Sequence, residues 1–246
     1  MKYAILSDIH ANPLAFKNAL CDAREQGADK IICLGDITGY GYGALASYEL
    51  AVGKCDVWLM GNHDAACAGI LPVQEVICNP NYKVDCIARD ELGMDRLEHI
   101  AALPYTHEES SFVCAHGAFS TPYSFAYIAC ERDAMIDFSY SSARLVFIGH
   151  THKQETWCLT GLGRILRTEA AFLRLQPELR YIVNVGSVGY PRRDPFSSYA
   201  IYDDVAETIE IRRLPFDFRH YLDSFAGLPF QPPAWLLSGD TDSPED

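Results

Sequence analysis

One local pattern recurs along this 246-residue chain and limits its possible folds more than any other feature. A short apolar run is followed at once by Gly, Asp, Asn or His. Tyr3-Ala4-Ile5-Leu6 leads to Asp8 and His10, and Lys30 to Leu34 leads to Gly35-Asp36. Val57 to Met60 runs into Gly61-Asn62-His63-Asp64, Ser111 to Ala115 into His116-Gly117, and Leu145 to Ile148 into Gly149-His150-Thr151-His152. Apolar runs of this length bounded by such breakers read as buried strands. Between the first two, Asn12-Pro13 offers a helix N-cap with proline at the first helical position. Leu14, Phe16, Ala19, Leu20 and Ala23 then form an apolar stripe, and Gly27 is a C-terminal stop. A strand, helix, strand unit favours parallel pairing with a right-handed crossover. Ligands of open α/β sheets collect beyond the carboxyl ends of the strands, so these polar clusters are expected to converge in one crevice.

Later runs at Tyr181 to Val185, Tyr199 to Tyr202 and Thr208 to Arg212 alternate as antiparallel strands would. Two stretches read as surface insertions. Residues 65–106 are mostly helical in pattern with a turn at 79–81, and residues 119–142 carry Pro122, four aromatic side chains before Cys130 and a further helical piece. Each insertion serves either packing or access to the crevice. No internal repeat or linker divides the chain, so residues 1–227 are expected to form one domain. Residues 228–246, rich in Pro and acid, read as a mobile tail.

Composition narrows the partners. With 49% hydrophobic and 22% charged residues, a sizeable core is expected and general disorder is not. A formal charge of -13 argues against a broad electropositive surface for duplex nucleic acid, although metal ions in a cleft would reverse the local sign. The nine cysteines form no C-x-x-C pair, which reads as reduced thiols in a cytoplasmic protein rather than a disulfide framework. No apolar stretch is long enough to span a membrane.

Taken singly, each polar cluster is weak: a histidine at a strand end is commonly just hydrogen-bonded, and Gly-Asp is commonly a turn. Their joint occurrence carries the information. Five of the eight histidines, His10, His63, His116, His150 and His152, follow predicted strands beside Gly, Asp or Asn. Imidazole with carboxylate suits borderline divalent ions, and a mixed set of this size suggests two ions sharing one carboxylate. Two ions ~3.5 to 4 Å apart clamp the attacking and leaving oxygens of an in-line displacement at phosphorus.

The five motifs Asp8-x-His10, Gly35-Asp36, Gly61-Asn62-His63-Asp64, His116-Gly117 and Gly149-His150-Thr151-His152 resemble those of the calcineurin-like metallophosphoesterase superfamily in order and spacing. The resemblance covers roughly the first two thirds of the chain. Residues 35–41 and 184–189 are further similar to the small bacterial YfcE-like phosphodiesterases. The resemblance implies a four-layer α/β/β/α sandwich of two mixed sheets. It implies two divalent ions, manganese before iron, zinc or nickel. Asp8, His10 and His152 would hold the first, Asp36 would bridge, and Asn62, His116 and His150 would complete the second.

The implied reaction is hydrolysis of a phosphodiester in a small or nucleotide-like substrate, with hydroxide shared by the ions attacking in line. His63 would assist the leaving oxygen. Asp64 would fix the tautomer of His63, unless it points elsewhere. Phosphomonoesters or dinucleoside polyphosphates are alternative substrates, and a non-catalytic scaffold like Vps29, which has lost the histidine, is an alternative role. Protein Ser/Thr phosphatases of the superfamily continue Gly-Asp with Asp-Arg-Gly, where this chain has Gly39-Tyr40-Gly41. The Asp that supports the catalytic histidine and the Arg that grips phosphate are both missing at those positions. Arg192 and Arg193 are candidates to bind phosphate together with Asn62, and two solvated surface arginines are the alternative. Tyr40, Tyr42 and Tyr82 either stack on a nucleoside or pack internally. Oligomeric state is not readable.

Overall fold

The computed structural model describes residues 1–72, 76, 83–192 and 194–226. The expected tail, Tyr82 and Arg193 therefore lie outside the described residues.

Among the described residues, twelve strands form two six-stranded mixed sheets. Their ranges are β1 Lys2–Leu6, β2 Lys30–Cys33, β3 Val57–Trp58, β4 Thr106–Glu108, β5 Val113–Ala115, β6 Leu145–Ile148, β7 Gln154–Leu159, β8 Ile165–Thr168, β9 Phe172–Arg174, β10 Arg180–Val185, β11 Phe196–Asp203 and β12 Thr208–Pro215. The first sheet runs β3-β2-β1-β11-β12-β9 and the second β4-β5-β6-β10-β7-β8. The helices are α1 Pro13–Glu25, α2 Ala44–Lys54, α3 Asn62–Ala68, α4 Lys83–Leu92, α5 Met94–Ala101, α6 Glu131–Tyr140 and α7 Phe218–Asp223.

The layers follow from side-chain alternation. On β1, Tyr3 and Ile5 face the second sheet, where Phe112, Phe147, Tyr181 and Val183 meet them in a core between the sheets. Ala4 and Leu6 face the opposite way, onto Phe16, Ala19, Leu20 and Ala23 of α1. Val146, Ile148 and Ile182 on the outer face of the second sheet pack on Ala134 and Phe138 of α6. Two sheets back to back with helices outside give the four layers expected of this sequence.

Helix α1 begins as its sequence requires: Asn12 Oδ1 accepts from Ala15 N at 3.1 Å, and Pro13 opens the first turn. The helix is tied to the far strands through Asp22, which accepts from the Tyr199 hydroxyl at 2.6 Å and from Arg212 Nε and Nη2 at 3.0 and 2.9 Å.

Two strand expectations change. Strand β10 is central, parallel to β6 and antiparallel to β7, whereas β11 and β12 are antiparallel as expected. Buried on both faces, β10 has the pattern of a strand flanked on either side. Strands β4, β8 and β9 are short, and β8 and β9 are largely exposed, so they carry little hydrophobic signal. The 65–106 stretch contributes α4 and α5 and most of α3, and the 119–142 stretch contributes α6. Among the described residues no helix is long and apolar enough to cross a membrane.

Candidate metal centre

The parallel strands β1, β2, β5 and β6, with β3 beside them, end at one edge of the sandwich, and the polar clusters that follow meet there. Asp8, His10, Asp36, Asn62, His63, His116, His150 and His152 are all buried. The chain leaves the strands by sharp reversals. Asp8, His10, Asp36, His150 and His152 have φ of 56°, 47°, 55°, 69° and 61°, the left-handed region that non-glycine residues seldom adopt. Concentrated strain of this kind persists only where surrounding bonds impose it, and it is commonest at functional sites. The bonds are present: Asp8 N donates to Gly35 O at 3.1 Å, His10 N to Asp36 O at 2.8 Å, and Gly189 N to Asp8 O at 2.9 Å. Ser187 Oγ adds a bond to Asp8 O at 2.8 Å, and Asn184 Nδ2 donates to Gly149 O at 2.6 Å.

Two glycines are obligatory for closeness rather than for φ. A Cβ on Gly61 would stand 2.1 Å from Asp36 Oδ1, and one on Gly149 would stand 1.9 Å from Ser7 Oγ and 2.5 Å from Asp8 Oδ2. The backbones following β3 and β6 can therefore approach the carboxylates only without side chains.

The first group of ligating atoms is Asp8, His10 and His152. His10 Nδ1 faces Thr38 O at 3.2 Å and His152 Nδ1 faces Tyr190 O at 2.7 Å. A carbonyl only accepts, so both Nδ1 atoms carry the proton and both Nε2 atoms carry lone pairs. Yet the two Nε2 atoms lie 3.0 Å apart, and Asp8 Oδ1 stands 3.2 Å from His152 Nε2 and 3.6 Å from that of His10. Three acceptors converge with no proton among them, and Asp8 Oδ1 is buried without a hydrogen-bond partner. Such a set fits a cation. Burial pushes His10 down to about 4, which keeps it neutral and able to ligate.

The second group is Asp36, His116 and His150, joined by Asn62. His116 Nε2 lies 3.1 Å from Asn62 Oδ1, 3.1 Å from His150 Nδ1 and 3.3 Å from Asp36 Oδ2. Asp36 Oδ2 is also 3.8 Å from His10 Nε2, which puts that carboxylate between the two groups. Burial lowers His116, but the charges of Asp36 and Asp8 overcome it and raise the imidazole to about 9. Burial would raise the two carboxyls, yet neighbouring imidazoles hold both below their usual range. Burial and the nearby His116 take His150 down to about 3. Ionised carboxylates beside the neutral imidazoles of His10 and His150, in a pocket whose charge draws a proton onto His116, suit a divalent ion. The described cysteine thiols are absent from both groups.

His63 occupies the first turn of α3, and its ring stands edge-on to His10 with centroids 5.1 Å apart. His10, Asp36 and His63 form a third close group of ligating atoms. His63 Nδ1 pairs with Asp85 Oδ2 at 2.9 Å. Burial lowers His63, but Asp85 and Asp36 raise it above its ordinary value, while burial pushes Asp85 up to about 6. Asp64, expected to orient His63, does something else. It accepts from Thr38 N at 3.0 Å, Thr38 Oγ1 at 3.1 Å and Ile37 N at 3.3 Å, pinning the loop after β2 to α3. Successive residues of a helix point about 100° apart, so Asp64 cannot share the direction of His63. The supporting acid arrives instead from α4, in the 65–106 insertion. No motif marks Asp85 in the sequence, so sequence reasoning misses it; an Asp in the first turn of an amphipathic helix is its only signal.

The rim is aromatic. Tyr40 stacks on Tyr190 with centroids 4.6 Å apart and 18° between planes, and it lies 4.6 Å from His63. Tyr127, from the 119–142 insertion, lies flat on His150 at 4.0 Å and 7°, and its hydroxyl interacts with Arg192. Arg192 is thus brought to the rim, with its own backbone at φ 54°. Tyr42 packs away from the centre, bonding His220 Nε2 at 3.1 Å.

A sandwich of two mixed sheets with imidazoles and carboxylates gathered at the strand ends is the architecture of metal-dependent phosphoester hydrolases. Residues 1–206 match the calcineurin-like phosphoesterase superfamily domain, and the chain belongs to that superfamily. It is 29% identical over 223 residues to the uncharacterized protein MJ0912 of Methanocaldococcus jannaschii, covering 88% of each chain. The structure is similar to a metallophosphoesterase from Sphaerobacter thermophilus, with a TM-score of 0.81, 29% identity and 97% of each chain covered. It shares its fold with the hypothetical protein PH1004 from Pyrococcus horikoshii OT3, with a TM-score of 0.73, 14% identity and 96% of each chain covered.

Proposed function

We propose that this phosphoester hydrolase cleaves phosphodiester bonds of a small or nucleotide-like substrate, using two divalent ions, with manganese favoured. The observation that carries the reading is the convergence of buried ligating atoms in two adjacent groups with Asp36 between them. Asp8, His10 and His152 would hold one ion, Asn62, His116 and His150 the other, and Asp36 both. Bound there, the ions supply Lewis acidity: they offset the charge of the phosphate and bring the pKa of water toward neutrality.

The protein's own part is positioning and proton supply. With Nδ1 paired to Asp85, Nε2 of His63 would face the leaving oxygen, and the carboxylates that raise its pKa favour the protonated form that a general acid needs. Arg192, beside Tyr127 at the rim, would meet a phosphate oxygen. The presence of His63 with its acidic partner favours catalysis over a scaffold role. The eight described cysteines are all free thiols, which suits a reducing compartment such as the cytoplasm.

The test is turnover of bis(p-nitrophenyl) phosphate and p-nitrophenyl phosphate by protein reconstituted with manganese. Hydrolysis of the diester at the higher kcat/KM is the expected result. A large preference for the monoester would overturn the diesterase reading, and no turnover of either would overturn the enzyme.

A further inference from the structure

Beside His152 lies a cleft of about 540 Å³. It is large enough for a small-molecule moiety, since ligand sites commonly enclose ~300 to 1,000 Å³. His152, a member of the first ligating group, is among the residues that line it, so the cleft adjoins that group. Three cations line it, Lys153, Arg167 and Arg192, against two acids, Glu169 and Asp194.

The acids are already matched. Asp194 accepts from Arg213 Nη2 at 2.7 and 3.0 Å, and Glu169 lies 3.4 Å from Arg167. Arg167 is further anchored by the buried Glu155 at 2.6 Å and lies over the Trp157 ring at 5.4 Å. Lys153 is exposed, and among the described residues its ammonium meets no hydrogen-bonding or ion-pair partner. In a chain of formal charge -13, the residues lining this cleft carry one more cation than acid, and with Arg167 matched by Glu155 and Glu169 the excess lies at Lys153 and Arg192. A local excess of positive charge beside a ligating residue raises the local concentration of anions and gives them a directional contact. Phe196 supplies an apolar wall of the same cleft.

We infer that this cleft is a subsite for a second anionic group of the substrate, a phosphate separate from the one being cleaved. The inference rests on the phosphodiesterase reading and sharpens it: the preferred substrate is a nucleotide-like diester bearing an additional phosphate, with Lys153 as the specificity residue.

The test uses a matched pair, the p-nitrophenyl ester of thymidine 5′-phosphate and the same compound carrying a 3′-phosphate, with the manganese-loaded full chain. The expected result is a kcat/KM at least tenfold higher for the 3′-phosphorylated compound. Lys153→Glu should reduce that ratio at least tenfold, through KM. Calorimetric binding of thymidine 3′,5′-bisphosphate to metal-free protein provides a readout that does not need turnover, and Lys153→Glu should weaken it at least tenfold. Equal affinity in wild type and variant, or a ratio unmoved by the substitution, overturns the subsite. Absence of turnover with Lys153-dependent binding intact would overturn the hydrolase reading and leave the subsite standing.

Discussion

The Nδ1 nitrogen of His63 lies 2.9 Å from Oδ2 of Asp85, and both side chains are buried. The two residues belong to different helices, α3 and α4, so the pair exists only because the insertion folds back over the strand ends. A carboxylate behind an imidazole fixes its tautomer and stabilises its charged form. His63→Ala should reduce kcat on the diester by ~10² to 10⁴, within the range of general-acid contributions. Asp85→Asn should cause a smaller loss in the same parameter, and the double variant should be no worse than His63→Ala alone. Metal content measured by elemental analysis should stay unchanged in all three. A fully active His63→Ala protein would remove the residue from the mechanism.

Asp36 stands between the two ligand groups, so it should govern occupancy of both. In Asp36→Asn the bound metal measured by elemental analysis should fall from two ions per chain. The melting temperature of the manganese-loaded variant should no longer drop on chelation, whereas that of wild type should. Ions that bind only the folded state stabilise it by mass action. A variant that retains two ions would show that Asp36 does not bridge.

Tyr127→Phe keeps the ring that lies on His150 but removes the hydroxyl that meets Arg192. A single net hydrogen bond is worth ~0.5 to 1.5 kcal/mol, or roughly 2- to 10-fold. KM for the diester should rise by about that factor with kcat little changed. An effect confined to kcat would instead place the hydroxyl in the chemical step.

Gly149→Ala tests the packing of backbone on carboxylate. The added methyl would collide with Ser7 Oγ and Asp8 Oδ2, atoms fixed by the reversal after β1. Overpacking of this kind costs ~1 to 3 kcal/mol. Thermal unfolding should therefore shift down, together with weaker metal binding. A variant with wild-type melting temperature and metal content would mean that the strand ends can separate.

Asp22 offers a pH test away from the metal centre. Burial raises its carboxyl, but bonds from Arg212 and Tyr199 outweigh that and hold it below its ordinary value. A carboxylate depressed in the folded state adds stability at pH above its unfolded pKa of ~3.9, and this is lost as pH falls through the folded value. Asp22→Asn should thus destabilise by ~1 to 2 kcal/mol at pH 7. The difference from wild type should shrink in denaturant titrations below pH 4. A difference independent of pH would assign the effect to packing rather than charge.

Much of the site is legible in the sequence because strand, breaker and ligand are local neighbours. Asp8 with His10, Asn62 with His63, and His150 with His152 each follow an apolar run that must be buried, and burial at one sheet edge forces the polar ends together. Strands β8 and β9 are not legible, being short and exposed, and the placement of β10 between β6 and β7 depends on pairing across the sheet rather than on its own residues. Arg192 shows in the sequence only as one of two candidate phosphate contacts. Its place at the rim comes from a loop reversal and from Tyr127, 65 positions earlier in the chain.

By itself the sequence determined an α/β chain whose strand ends carry Asp and His, because hydrophobic periodicity and residue chemistry are carried position by position, and the resemblance to the superfamily supplied the layered sandwich. Only the tertiary structure decided which acid serves His63. Helical geometry turns the adjacent Asp64 toward Thr38, and the packing of α4 against α3 brings Asp85 to the ring, a contact across 22 residues that no local pattern encodes.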